Sequence, residues 1–136
     1  MYVEADLRRD RSAEAMAREA VDYVADWHPD RLALEANGFQ ELLWPLFKHE
    51  SRARQVPLPI DAKSLLVNTV SKEARIRRLG PYLFQRQMRF KWDSAGTRLL
   101  VEQLRQFAVG DHDDGPDALE QALRVMIGLV NERRRG

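Results

Sequence analysis

Gly110-Asp111-His112-Asp113-Asp114-Gly115-Pro116-Asp117-Ala118-Leu119 gathers four aspartates and a histidine within seven residues, directly ahead of a strongly patterned apolar run. Pro116 suits the first position of a helix, where the missing N–H is no loss and a fixed φ is useful. Leu119, Ala122, Leu123, Met126, Ile127 and Val130 then recur at the i, i+3, i+4, i+7 spacing of an amphipathic helix. The pattern predicts a helix with Gly115 or Asp114 as N-cap and the aspartates at its N-terminal mouth. Two readings of those acids stand side by side. As caps they satisfy free N–H groups and complement the helix dipole, for about 0.3 to 2 kcal/mol. A cap uses one aspartate, however, and Asp113, Asp114 and Asp117 repel one another unless a cation neutralises them, a role that suits a divalent metal.

At 136 residues the chain is long enough for one compact domain with a real core and too short for two, so a single domain over 1–136 is expected. It contains no cysteine, which excludes disulfides and thiolate metal sites and permits a reducing compartment. No apolar run approaches the roughly 20 residues that span a bilayer. Glu4, Asp6, Arg8, Arg9 and Asp10 break up any stretch resembling a secretory signal. These features predict a soluble intracellular protein without membrane partners.

The formal net charge is +1, but it is unevenly distributed. Residues 1–47 carry net −5, residues 48–91 net +8 and residues 92–136 net −2. A basic middle third beside an acidic cluster is what cleavage of a phosphodiester needs, the arginines and lysines holding the polyanion and the carboxylates the metal. Solvated helix faces produce charge runs as well.

Along the chain, Tyr2-Val3-Glu4-Ala5 predicts a brief strand, and Ser12 a cap for a helix ending before Pro29 whose inward face is Met16, Ala20, Val21, Val24 and Trp27. Arg31–Glu35 reads as a buried strand and Asn37-Gly38 as the turn after it. Phe39, Leu42, Leu43, Leu46 and Phe47 form the next helical face, which Pro45 should kink. Glu35 closes its strand just before a helix, the place where open α/β sheets put their chemistry, although a strand leaving the core also ends on a polar residue. Pro57 and Pro59 restrict Gln55–Ile60 to an edge strand or an extended connection. Asn68 or Thr69 should start a basic helix stopped at Gly80-Pro81, with Val70, Ala74 and Ile76 or Leu79 packing inward. Gln87–Lys91 alternates like a half-exposed strand. Asp93 or Ser94 caps a helix with Leu99, Leu100, Leu104 and Phe107 inward. Trp27, Trp44 and Trp92 are expected in the core or at its edge, and His28 and His49 on helix surfaces. The alternation of short strands and helices predicts an α/β layered domain with a small sheet.

Several of these segments together resemble one family. Leu99–Phe107, with its Gln103-Leu104-x-x-Phe107 pattern, followed by His112-Asp113-Asp114-Gly115-Pro116-Asp117-Ala118-Leu119, is similar to the C-terminal part of the nuclease domain of tailed-phage terminase large subunits. Leu34-Glu35-Ala36-Asn37-Gly38-Phe39-Gln40 resembles that family's strand-ending acid segment. Lys72-Glu73-Ala74-Arg75-Ile76-Arg77-Arg78-Leu79 resembles its K-x-x-R-I helix, ahead of the short Met88-Arg89-Phe90 strand. The correspondence runs in order through nearly the whole chain.

The resemblance implies a ribonuclease H-like fold, a small mixed sheet flanked by helices, and metal-dependent cleavage of concatemeric double-stranded DNA during viral genome packaging in the bacterial host cytoplasm. It implies that Glu35 and Asp114 meet to bind Mg²⁺ or Mn²⁺, with Asp113 and Asp117 as adjacent candidates. Hard cations of this kind favour carboxylate oxygens. Lys72, Arg75, Arg78, Arg86 and Arg89 are the candidate phosphate contacts, selected by charge. The family also has an aspartate on its first long strand, ahead of the segment matching Tyr2-Val3-Glu4, and a motor ATPase; neither that aspartate nor a G-x-x-x-x-G-K-[ST] motif occurs here. Asp6 and Asp10 match no family motif. The expected object is therefore an N-terminally truncated nuclease domain, weak or inactive by itself. Its expected partners are an upstream ATPase/nuclease segment, the small terminase and the portal, and self-association through an exposed sheet edge is a further expectation. The alternative is a catalytically silent ribonuclease H-like module that binds DNA or protein.

Overall fold

The computed structural model describes residues 1–7, 11–36, 39–110 and 112–136, and omits the side chains of 39, 40 and 62. The Asn37-Gly38 turn, Asp10 and Asp111 therefore lie outside the described residues. The chain is of the α/β class, mostly helical, with small parallel sheets. It divides into two compact units, Met1–Arg9 with Thr69–Gly136, and Asp10–Asn68.

In the first unit, β1 (Tyr2–Val3) pairs in parallel with β4 (Arg89–Phe90), Tyr2 opposite Arg89 and Val3 opposite Phe90. Between these strands in sequence come α3 (Lys72–Arg77) and α4 (Gly80–Phe84); α5 (Ala95–Arg105) and α6 (Asp114–Arg135) follow. The core is Ile76, Leu79, Met88, Leu100, Leu119 and Leu123, with Val3, Ala5, Leu7, Leu104 and Phe107 packed against it. Helix α6 packs on both α5 and α3. Close approach requires a glycine at 96, because a Cβ there would stand 2.3 Å from the Ala5 carbonyl oxygen.

In the second unit, α1 (Ala13–Trp27) is capped by Ser12, whose hydroxyl accepts from the Ala15 N–H at 3.1 Å, as its position predicts. β2 (Leu34–Glu35) pairs in parallel with β3 (Leu65–Leu66), and a π-helical stretch (Phe39–Leu43) leads into α2 (Trp44–Arg54). Ala17 and Phe47 centre this core, with Leu34, Leu43, Trp44, Leu46 and Leu65 around them. Ahead of β3, Asp61 caps a short turn, its carboxylate accepting from the Lys63 N–H at 2.8 Å and pairing with Arg31 at 3.0 Å.

Several expectations are corrected. The strands are two residues long, and they form two parallel pairs where one mixed sheet was expected. Gly80-Pro81 starts α4 instead of ending a helix, since Pro81 fits the first turn, where no N–H is needed. Ser71, two or three positions later than expected, caps α3. Leu42 is exposed because the π-helical turn rotates it off the face that a 3.6 period assigned to it. Trp27 and Trp92 are exposed as well, and Ala74 yields its place on α3 to a buried Arg75. Met126, Ile127 and Val130 remain over one-third exposed, so only the first turns of α6 serve the core. Among the described residues no helix is long and apolar enough to cross a membrane.

Candidate functional site: a charge ladder between two helices

The acidic stretch and the basic helix face each other. On α3 and its C-cap, Lys72, Arg75 and Arg78 recur every three residues and so share one face. On α6, Asp114, Asp117 and Glu120 recur at the same interval. The two rows meet rung by rung. Lys72 Nζ bridges Asp113 at 2.7 Å and Asp114 at 3.0 Å. Arg75 Nη1 donates to Asp117 Oδ1 in a pair whose side chains are only 6% and 10% exposed. Glu120, 3% exposed, lies 4.0 Å from Arg78 and 3.3 Å from Arg124 one turn later on its own helix.

The ladder is graded from wet to dry. Asp114 is nearly fully exposed and Asp113 partly so, while Asp117 and Glu120 are sealed beneath them. Burial alone would pull the Lys72 ammonium down, but hydrogen bonds to Asp113 and Asp114 outweigh it and hold its pKa above the ordinary lysine value. At the second rung Arg75 is fastened twice, since its Nε also donates to the Val70 carbonyl at 3.1 Å. At the third, charge alone holds Glu120, because neither of its oxygens accepts a hydrogen bond among the described residues.

Capping does not explain the aspartates. Asp113 occupies the N-cap of α6 but makes no side-chain cap bond, its carboxylate going to Lys72. The Gly115 N–H is capped from another helix, by Gln103 Oε1 at 2.9 Å. This gives the Gln103-Leu104-x-x-Phe107 pattern a physical meaning: the amide closes the mouth of α6 while Leu104 and Phe107 pack into the core. Sequence reading assigned no role to Gln103, Glu120 or Arg124. Their signal was the matched three-residue spacing of Lys72, Arg75 and Arg78 with Asp114, Asp117 and Glu120, which becomes a pairing only once α3 and α6 are side by side.

The remaining expected site residues are placed as follows. Glu35 ends β2 in the second unit, exposed, and accepts from Asn68 Nδ2 at 2.9 Å. Arg86 and Arg89 are exposed and have no carboxylate partner among the described residues. Arg75 is buried in its ion pair, which removes it from the set of surface phosphate contacts.

As metal donors, Asp113 and Asp114 fit Mg²⁺ or Mn²⁺: both offer hard oxygens at an accessible mouth, held by one flexible ammonium. Asp117 does not fit in the same way, because its carboxylate is committed to a buried guanidinium. Among the described residues no three His, Asp or Glu side chains are gathered to hold one ion. Comparison with family models, curated proteins and solved structures yields no match.

Proposed function

We propose that the chain is part of a terminase-type nuclease domain of ribonuclease H-like fold that cuts double-stranded DNA during viral genome packaging, in company with an ATPase segment and other packaging proteins. The observation that supports this reading is the pairing of the two segments that carry the resemblance, Lys72–Leu79 and His112–Leu119, through Lys72 and Arg75. An unrelated domain with aspartates as simple caps gives no reason for that pairing.

On this reading Asp114, with Asp113 beside it, offers the carboxylates for Mg²⁺ or Mn²⁺ at the mouth of α6, and Glu35 is by resemblance the family's strand-ending acid. Bound there, the ions supply an activated water and charge stabilisation for the leaving oxygen of an in-line phosphodiester displacement. Arg75 and Gln103 orient the start of α6 and so aim Asp113 and Asp114 outward. Arg86 and Arg89 are available to phosphates, and Asp117 serves the ladder.

A second reading, a catalytically silent DNA- or protein-binding module, is favoured by one observation: Lys72 already pairs with both Asp113 and Asp114 from within the chain and offsets one of their two charges. Thermal unfolding in millimolar Mn²⁺, together with plasmid nicking, separates the two. The nuclease reading expects a rise in Tm that Asp114→Ala abolishes, and nicking that is weak at most for this chain by itself and is removed by both Glu35→Ala and Asp114→Ala. No metal-dependent shift, or nicking untouched by both substitutions, overturns it.

A further inference from the structure

Between Ala74 and Trp92 the chain carries six basic residues and no acidic one. Four of the six are engaged: Arg75 by Asp117, Arg77 by Glu73, Lys91 by Glu4, and Arg78 on the approach to Glu120. Arg86 and Arg89 are exposed and have no carboxylate partner among the described residues. Phe84, two residues ahead of Arg86 in the chain, is 90% exposed, the most exposed large apolar side chain among the described residues.

The backbone holds this arrangement. The turn after α4 is closed by the Gln85, Arg86 and Gln87 N–H groups donating to the Pro81, Leu83 and Tyr82 carbonyls at 2.9 to 3.1 Å. Arg86 sits at φ 57°, a left-handed conformation that residues with a side chain seldom adopt. Where the chain then enters β4, Arg89 lies opposite Tyr2, itself 72% exposed, while their neighbours Val3 and Phe90 turn to the core. Cross-strand partners share a face, so an aromatic ring accompanies Arg89 on the outer side of the ladder.

We infer that this surface binds an unpaired DNA strand, Phe84 stacking on a base while Arg86 and Arg89 hold the neighbouring phosphates. Guanidinium groups attract any polyanion and position it without reading its sequence. An exposed ring adds something only where a base offers an open face, which a strand has and a closed duplex lacks. The inference rests on the DNA-directed reading above and specifies the form of DNA that this face takes.

The test is fluorescence anisotropy of the full chain with a labelled oligothymidylate and with a blunt duplex of equal length, across a salt series. Phe84→Ala should weaken binding to the oligothymidylate about tenfold without changing the salt slope, while Phe84→Trp retains it. Arg86→Gln with Arg89→Gln should flatten the oligothymidylate slope by about 1.4 units, about 0.7 for each lost phosphate contact. Because Phe84 packs against almost nothing, circular dichroism of the alanine variant should match the wild type. Equal binding by wild type and Phe84→Ala, equal losses on both DNA forms, or binding of the duplex alone overturns the inference and leaves the nuclease reading standing. No binding of either form overturns both.

Discussion

Asp117→Asn distinguishes a metal cluster from a charge ladder by the sign of its effect. If Asp113, Asp114 and Asp117 simply crowd one another, removing a charge in metal-free buffer relieves repulsion and stabilises the protein. In the structure Asp117 instead compensates Arg75, both side chains being nearly sealed from water. Removing one member of a buried pair leaves the other charge uncompensated, which typically costs about 3 to 5 kcal/mol. Asparagine keeps one acceptor and Arg75 keeps its bond to the Val70 carbonyl, so the lower end, about 3 kcal/mol, applies. For a chain of this size that lowers Tm by about 10 °C. The assay is thermal and urea unfolding followed by circular dichroism, in EDTA so that metal plays no part. The double variant Arg75→Met with Asp117→Leu should recover most of the loss, because apolar replacement of both partners leaves no buried charge. An Asp117→Asn protein as stable as the wild type or more so, or a double variant no better than the single, refutes the ladder.

In the second unit the Lys63 N–H, aided by Arg31 and Ser64 against a smaller opposing effect of burial, holds the Asp61 carboxyl below its ordinary value of 3.8. A lowered folded pKa means that its stabilisation is complete above that value and is lost as pH falls through the folded one, so urea titrations of Asp61→Asn should show a flatter acid limb below about pH 4. The glycines divide in two. Gly96→Ala should lose about 1 to 3 kcal/mol, since its Cβ would meet the Ala5 oxygen at 2.3 Å and backbone atoms of Asp6 and Leu7 at 2.9 Å, none of which can rotate away. Gly128→Ala, in mid-helix with nothing within 4 Å of its Cβ, should gain about 0.5 to 1 kcal/mol; a reversed order of the two in urea midpoints refutes the packing argument.

Local chemistry settled a good deal from the sequence alone. Ser12, and Asp93 or Ser94, marked helix starts because a capping side chain beside an apolar period has one economical use; Ser12 caps as expected, and of the second pair Ser94 is the cap. The apolar spacing of α6 was legible for the same reason, and Leu119 and Leu123 are buried where the period puts them. Tertiary structure decided what local rules leave open. A π-helical turn moved Leu42 outward, and helix packing replaced Ala74 with a buried arginine. Above all, the meaning of Asp113, Asp114 and Asp117 depends on groups some forty residues away. A carboxylate looks the same in sequence whether it caps a helix, holds a metal or answers a cation. Only the approach of α3 to α6 brings Lys72 and Arg75 within reach, because ionic contact is set by distances in space and not by separation along the chain.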